Sequence, residues 1–413
     1  MDIAWLECSV CGKRYQPDQV MYSCPEDNGN LDIVPDYASL ADQVSPHDIL
    51  DSKEASIWRY VSLLPVEDPG FEHTALHQVG WTPIYKPELL ARELGLKNLF
   101  IKDESRNPSA SFKDRASAVV MAHARQIEVK AVVAASTGNA GAATACMAAA
   151  MGMQAIIIAP KTAPEAKVAQ LLIYGAQVLL VDGNYDQAFD LSIEASKEFG
   201  WYNRNTGFNP FTAEGKKTAA FEIWEQIMIN LPGNARTPVI FISVGDGNII
   251  SGIHKGFKDL LALGWIDQIP RLIGVQAEGS AAIANAFRTG SSEVIPVEAH
   301  TIADSISVDF PRDGLRALKA VRQTDGTYIT VSDDAILKAI VSLGKVGIFA
   351  EPAGATAYAG LVKACQGGIV HPDDPIIVLN TGSGLKDIKA SQKALPAAPV
   401  IQPTLQALRK VFK

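Results

Sequence analysis

The sequence predicts an α/β protein built on parallel sheet, with a small zinc-ribbon-like module at its N-terminus. Three observations lead there. Short apolar runs alternate with helical stretches from about residue 98 to residue 380, and such alternation implies parallel strands joined by right-handed crossovers. The run from Ala131 to Ala135 and its neighbours read as strands buried on both faces. Cys8-Ser9-Val10-Cys11-Gly12, with Cys24 a short hairpin further on, has the spacing of a zinc knuckle.

The chain has 413 residues, enough for two or three domains and a large core. Asp and Glu outnumber Lys and Arg by 45 to 37, a net charge of −8 with no basic block, so nucleic acid is not an expected partner. Hydrophobic content of 47% against 20% charged residues is ordinary for a soluble globular protein. The uncharged stretch from Ala131 to Pro160 raises the question of a membrane span. Ser136, Thr137, Gly138, Asn139 and Gly141 interrupt it, and most of the rest is alanine, so it reads as strand, loop, helix and strand, with no membrane expected. Met1 to Glu7 has neither a basic nor an apolar signal-peptide region, so no leader is expected. Five cysteines, three of them near the N-terminus, point to a reducing compartment, the cytoplasm, and to a metal rather than a disulfide framework.

Residues 1–35 form the module. A second knuckle would place a cysteine at position 27, where the chain has Asp27. A carboxylate can ligate zinc, so Cys8, Cys11, Cys24 and Asp27 read either as a three-cysteine, one-aspartate zinc site or as a ribbon that has lost its metal. Residues 36–75, punctuated by Pro46, Pro65 and Pro69, read as a helical arm over the main body. The body begins at Trp81-Thr82-Pro83-Ile84. Leu89–Leu94 is a short helix stopped by Gly95, and Asn98–Lys102 is a strand. Ala131–Ala135, Gln154–Ile158 and Gln177–Val181 are strands, followed respectively by an Ala-rich helix, a helix near Pro164–Tyr174 and one from Tyr185 to Phe199. A helix over Gly215–Ile229 precedes strands at Pro238–Ser243, Arg271–Gln276, Thr327–Val331 and Pro375–Asn380. Another helix is capped at Ser332 or Asp333, and residues after about 395 read as a tail.

Three strands end in small, polar, Gly-rich turns: Ser136–Gly141, Gly245–Ile249 and Thr381–Asp387. Ligands of open parallel sheets bind beyond the carboxyl ends of strands, so these turns are expected to face one cleft. The Gly245 turn opens a helix, and its glycines let backbone N–H groups approach closely, as a phosphate cradle requires. It has neither the Gly-Lys-Ser/Thr of a P-loop nor GxGxxG spacing. Asp246 suits an anion site poorly and reads as turned outward. The Ser136 turn offers hydroxyls, an amide and N–H groups that suit a carboxylate. Ser109–Arg115 reads as a helix start, with Ser111 as the cap and Asp114 as its capping-box partner. Lys113 then lies in the first turn, where the helix dipole disfavours a cation and lowers the ammonium pKa. A neutral lysine amine is what forming a Schiff base requires. A phosphate cradle, a reactive lysine and a second anion site together describe pyridoxal phosphate and an amino acid.

Ser-Phe-Lys-Asp-Arg at 111–115, Ser-Thr-Gly-Asn-Ala-Gly at 136–141, Val244-Gly245-Asp246-Gly247, Ala303–Val308 with Pro311-Arg312, and Thr-Gly-Ser-Gly-Leu-Lys-Asp at 381–387 resemble the motifs of threonine synthases, of the tryptophan-synthase-β fold type. The resemblance covers about residues 76–390. It implies pyridoxal-phosphate fold type II, with two parallel-sheet three-layer domains. Residues 76–115 and 216–395 would form the large cofactor-binding domain, 116–215 the smaller substrate-binding domain and 396–413 a tail. It implies that Lys113 carries the cofactor and later moves protons, that Asn139 bonds the cofactor's ring oxygen, that Gly245, Asp246, Gly247, Asn248 and Ile249 hold its phosphate, and that Thr381 bonds its ring nitrogen. A hydroxyl at that nitrogen leaves it largely unprotonated, which disfavours side reactions such as transamination. Ser136 and Thr137 are implied for the substrate carboxylate, and Lys102, Ser111 and Arg115 for a substrate phosphate. The chain departs from the pattern at Asp246 and in lacking the fourth knuckle cysteine.

The implied enzyme is a lyase, working as a homodimer, that converts O-phospho-L-homoserine and water to L-threonine and phosphate. Serine or threonine dehydration, or cysteate synthesis, would use the same cofactor residues, and the three turns do not separate these reactions. A nucleotide-binding oxidoreductase is opposed by the missing GxGxxG, and a non-catalytic relative by the intact Lys113.

Overall fold

In the computed structural model, which describes residues 1–136, 138–163 and 165–412, the strands fall into three sheets. Ile3–Cys8 (β1), Arg14–Tyr15 (β2) and Leu31–Pro35 (β3) pair antiparallel in the order β2-β1-β3 and form the N-terminal module. Helices Tyr37–Gln43 and Pro46–Leu50 and 3-10 turns at Ile57–Leu63 and Ala75–Gln78 make the arm. Ile84–Tyr85 (β4) and Asn98–Asp103 (β5) open the body. Ala131–Ala135 (β6), Gln154–Pro160 (β7), Gln177–Val181 (β8) and Tyr202–Asn203 (β9) then form an all-parallel sheet of order β8-β7-β6-β9. Val239–Ser243 (β10), Arg271–Ala277 (β11), Thr327–Val331 (β12) and Pro375–Asn380 (β13) complete the larger sheet, β12-β11-β10-β13-β5-β4, in which only β4 runs antiparallel.

Strands β6, β10 and β13 are buried from end to end, as uninterrupted apolar runs covered on both faces must be. Edge strand β8 has no fully buried residue, only half-buried and exposed ones. Leu94 ends its helix at Gly95, which takes the left-handed conformation at φ +68°.

Three helices lie beside the site. The lysine helix, Lys113–Gln126, packs on the central helix, Phe211–Gln226, which packs in turn on the cradle helix, Asn248–Ala262. Of the 16 residues of the central helix, 15 are buried, among them Glu214, Lys216, Lys217, Glu222 and Glu225. Close approach requires Gly215, where a Cβ would lie 2.1 Å from Arg115 O. Most of these buried charges are paired, several of them with other elements. Lys217 meets Glu214 at 2.6 Å and Asp259 at 2.8 Å, Arg59 meets Glu225, and Glu222 meets Lys102 at 2.7 Å.

The sequence places the start of the central helix at Gly215, but it begins four residues earlier. Pro210 precedes it, and Asn209 Oδ1 accepts the Phe211 N–H at 2.9 Å. Helices Ala282–Arg288, Gly314–Arg322 and Pro352–Gln366 were not anticipated, nor were the two-residue strands β2, β4 and β9. The tail contains an exposed helix, Leu405–Val411. No helix among the described residues is long and apolar enough to cross a membrane.

Candidate active site

The lysine is placed by three loops stitched together through their backbones. Phe112 N donates to Thr381 O at 2.9 Å, Ser383 N to Ala110 O at 3.1 Å, and Glu351 N to Gly382 O at 3.0 Å. Lys113 opens its helix as expected, but no capping box forms. Asp114 turns back to accept from Ser109 N at 2.7 Å and Ser109 Oγ at 2.5 Å, while Ser111 Oγ is buried without a partner. The Asp114 carboxyl is therefore committed elsewhere. The Lys113 ammonium pKa is lowered, chiefly by burial and further by Arg204, against the pull of Glu351 and Asp246.

The Gly245–Ile249 turn leads into the cradle helix through Gly247, at φ +94°. A Cβ on Gly247 would lie 2.8 Å from Asp313 O, and one on Gly245 would lie 2.8 Å from Ile306 Cα, so both positions exclude a side chain. Lys113, Asn139, Thr381, Glu351 and Lys216 line the same small cavity as this turn. Asp246 corrects one expectation. It faces the cleft, its Oδ1 accepts the Arg312 N–H at 3.2 Å, and burial raises its pKa. Lys216 Nζ donates to Asn248 Oδ1, and Asn248 Nδ2 donates to Asp313 Oδ2 at 2.7 Å. Among the buried charges of the central helix, Lys216 is the one with no carboxylate partner within ion-pair distance. Its pKa lies well below that of an ordinary lysine because of burial and the neighbouring Lys113 and Arg204.

Asn139 opens the helix Asn139–Met151 and donates from Nδ2 to Glu351 Oε1 at 2.8 Å. Burial raises the Glu351 carboxyl to about 7, with Lys113 opposing the shift. A wider cavity of about 350 Å³ opens beside the first and is lined by Lys113, Ser136, Asn139, Tyr185, Arg204 and Arg312. Ser136, Asn139 and Lys113 thus share one cleft, while Thr137 lies outside the described residues.

The three residues expected at a substrate phosphate are elsewhere. Lys102 and Arg115 are fully buried. Lys102 Nζ meets Glu222 at 2.7 Å, and Arg115 meets Glu104 at 2.7 Å and Glu222 at 2.5 Å. Their charges are spent inside the core, and neither residue lines the cleft. Ser111 is also enclosed, at a backbone bridge to Gly382.

Residues 75–382 match the family described as pyridoxal-phosphate dependent enzyme. This chain belongs to that family. Within the family it is 38% identical to the threonine synthase of Methanocaldococcus jannaschii over 409 residues, 98% of each chain. It is 35% identical to the threonine synthase of Methanosarcina acetivorans over 410 residues, again 98% of each. Among solved structures, the processed form of threonine deaminase isoform 2 from Solanum lycopersicum superposes with a TM-score of 0.64 at 23% identity, covering 84% of this chain and 91% of that one, a likeness of fold.

The cleft fits the family's cofactor. It offers a lysine whose proton is loosened, a turn that excludes side chains, and a second buried lysine beside that turn. Reading the sequence missed Lys216, Glu351 and Arg204, whose neighbours on the chain carry no Gly-rich turn or motif spacing.

In the N-terminal module, the ligand atoms of Cys8, Cys11, Cys24 and Asp27 lie within 4.8 Å of one another. Cys11 Sγ and Cys24 Sγ are 3.8 Å apart, and Cys8 Sγ is 3.3 Å from Asp27 Oδ1. Tetrahedral zinc with bonds of about 2.3 Å to sulfur sets its sulfurs roughly 3.8 Å apart.

Proposed function

We propose that this protein is a threonine synthase, converting O-phospho-L-homoserine and water to L-threonine and phosphate. The observation that carries the proposal is the meeting of Lys113, the Gly245–Ile249 turn and Thr381 on one cavity. The full-length similarity to threonine synthases selects this reaction from the others that such a cavity could run.

Pyridoxal phosphate, when bound, supplies an electron sink for carbanion chemistry on an amino acid. Lys113 is the residue that would carry it, and the N–H groups of the turn Gly245, Asp246, Gly247, Asn248 and Ile249 would hold its phosphate. Lys216 adds the positive charge that a phosphate dianion needs. Asn139 and Thr381 orient the ring. Ser136, with Thr137 beside it in sequence, receives the substrate carboxylate at the start of the Asn139–Met151 helix. Lys113 Nζ, its pKa lowered by burial, takes the α proton from the substrate, gives it up, and is then free to take a β proton. Phosphate leaves from the γ carbon, a proton returns there, water adds at the β carbon and the α proton is restored. Glu351, close enough to oppose the fall in the Lys113 pKa, stabilises the ammonium form that Lys113 adopts between these transfers.

The same reading makes residues 76–115 and 216–395 the cofactor-binding domain and 116–215 the substrate-binding domain, with the cleft between the two parallel sheets. It makes Cys8, Cys11, Cys24 and Asp27 a zinc site, supported by the sulfur spacing. A cytoplasmic homodimer rests on the family resemblance alone, and sedimentation of the purified protein tests the dimer.

The deciding experiment measures phosphate release and threonine formation from O-phospho-L-homoserine. The wild-type protein should give both in equal amounts, and Lys113→Ala should lose turnover by several powers of ten. Near-normal phosphate release by the variant would refute the role of Lys113. A wild-type protein that deaminates threonine and leaves O-phospho-L-homoserine untouched would refute the reaction.

A further inference from the structure

Arg204 is a buried cation without an anion. It follows β9, and its backbone N–H donates to Val133 O at 2.8 Å, which sets the residue beside the carboxyl end of β6. It is 1% exposed, yet it lies on the wall of the cleft with Lys113 and Ser136. Nε donates to Ser117 Oγ at 3.1 Å and Nη1 to Thr206 Oγ1 at 2.8 Å, while Nη2 has no acceptor. No carboxylate among the described residues lies within ion-pair distance of it. An isolated buried guanidinium is strongly disfavoured unless something negative joins it. Burial accordingly pulls its pKa down to about 10.

The other cations of the cleft have partners or positions that give them different tasks. Arg312, on the same cavity, is paired with Asp186 at 2.6 Å. Lys216 is bonded to Asn248 in the cradle. Lys113 is the reactive amine. Three anions must be met if the reading above holds: the cofactor phosphate at the cradle, the substrate carboxylate at the Ser136 turn, and the substrate phosphate. We propose that Arg204 is the residue that recognises the phosphate ester of the substrate and stabilises its departure from the γ carbon, replacing Lys102 and Arg115 in that role. Its guanidinium stays charged throughout and offers a planar fork that matches phosphate oxygens. The Ser117 and Thr206 hydroxyls fix that fork before substrate arrives, leaving Nη2 for the ligand. The inference rests on the phosphorylated-substrate reading and specifies which side chain reads the phosphate.

The test uses the holoenzyme and two variants, Arg204→Gln, which can still meet the two hydroxyls without charge, and Arg204→Lys, which keeps the charge without the fork. Inorganic phosphate binding is measured by calorimetry, and L-threonine binding by the cofactor's absorption change. Arg204→Gln should lose about 10- to 100-fold in phosphate affinity and in kcat/KM for O-phospho-L-homoserine, with Arg204→Lys intermediate. L-threonine affinity and the resting spectrum should stay within about twofold in both variants. Unchanged phosphate binding in Arg204→Gln would overturn the inference, as would equal losses for phosphate and L-threonine. If the wild-type protein fails to turn over O-phospho-L-homoserine but loses phosphate binding on Arg204→Gln, recognition of phosphate by Arg204 stands, and its role at the γ carbon falls with the reaction assignment.

Discussion

Burial holds the Glu351 carboxyl at about 7, against an ordinary 4.5, and this gives the site a pH signature. Between those values the folded protein keeps a proton that the unfolded chain has released. The stabilisation from this group is therefore complete below about 4.5 and lost as pH rises through about 7. Glu351→Gln should remove the dependence. The stability difference between cofactor-free wild type and variant should change by on the order of 3 kcal/mol between about pH 4.5 and 7.5, read from urea unfolding at each pH. A constant difference would mean that the carboxyl titrates in the folded protein as it does in the unfolded chain. Glu351 was not legible in the sequence, whereas Lys113 was, and the reason is physical. Lys113 stands in a local signal, a helix start beside small polar residues. Glu351 and Arg204 owe their character to what folds over them, and Asn139, the bonded neighbour of Glu351, lies 212 positions away. Lys216 stands on a helix among other charges with no motif around it, and the fold encloses it.

The central helix is where local expectation and tertiary fact diverge most. Its pattern of Glu and Lys looks solvent-facing, yet 15 of its 16 residues are buried, and Lys217 and Glu222 are paired with charges on other elements. Glu222 bonds Arg115 of the lysine helix, Lys102 of β5 and the backbone N–H of Trp81 at 2.8 Å, so one carboxylate ties three segments together behind the reactive amine. Replacing Arg115 with Met leaves Glu104 and Glu222 short of a buried counter-charge and should cost about 3–5 kcal/mol, seen as a lower urea midpoint. A loss under about 1 kcal/mol would show that these carboxylates take up protons or water without penalty. The strands were far more legible than this helix. Val239–Ser243 and Pro375–Asn380 are uninterrupted apolar runs with turn residues behind them, and such runs fit few structures other than a covered parallel strand.

Across the whole molecule, strand order is what the sequence leaves open. The last strand, β13, lies between β10 and β5 in the middle of the larger sheet, and that placement brings Thr381 beside Lys113. The N-terminal module was legible from cysteine spacing, although whether it holds metal was not. Purified protein should carry about one zinc per chain, and Cys24→Ser should lose the metal and lower the melting temperature, read by metal analysis and calorimetry. Metal-free wild type with an unchanged melting profile would establish the bare ribbon. The module docks through Asn30, whose Nδ2 donates to Arg312 O at 2.7 Å and Asp313 Oδ1 at 2.9 Å. Asp313 in turn holds Asn248 of the cradle. Asn30 and Asp313 are 283 positions apart, so the ribosome makes the first long before the second. At about 5–20 residues per second, the newborn ribbon waits roughly a quarter-minute to a minute for its berth. A segment of this size buries too little to hold its shape alone through that delay, and an ion clasped early would let it arrive already formed.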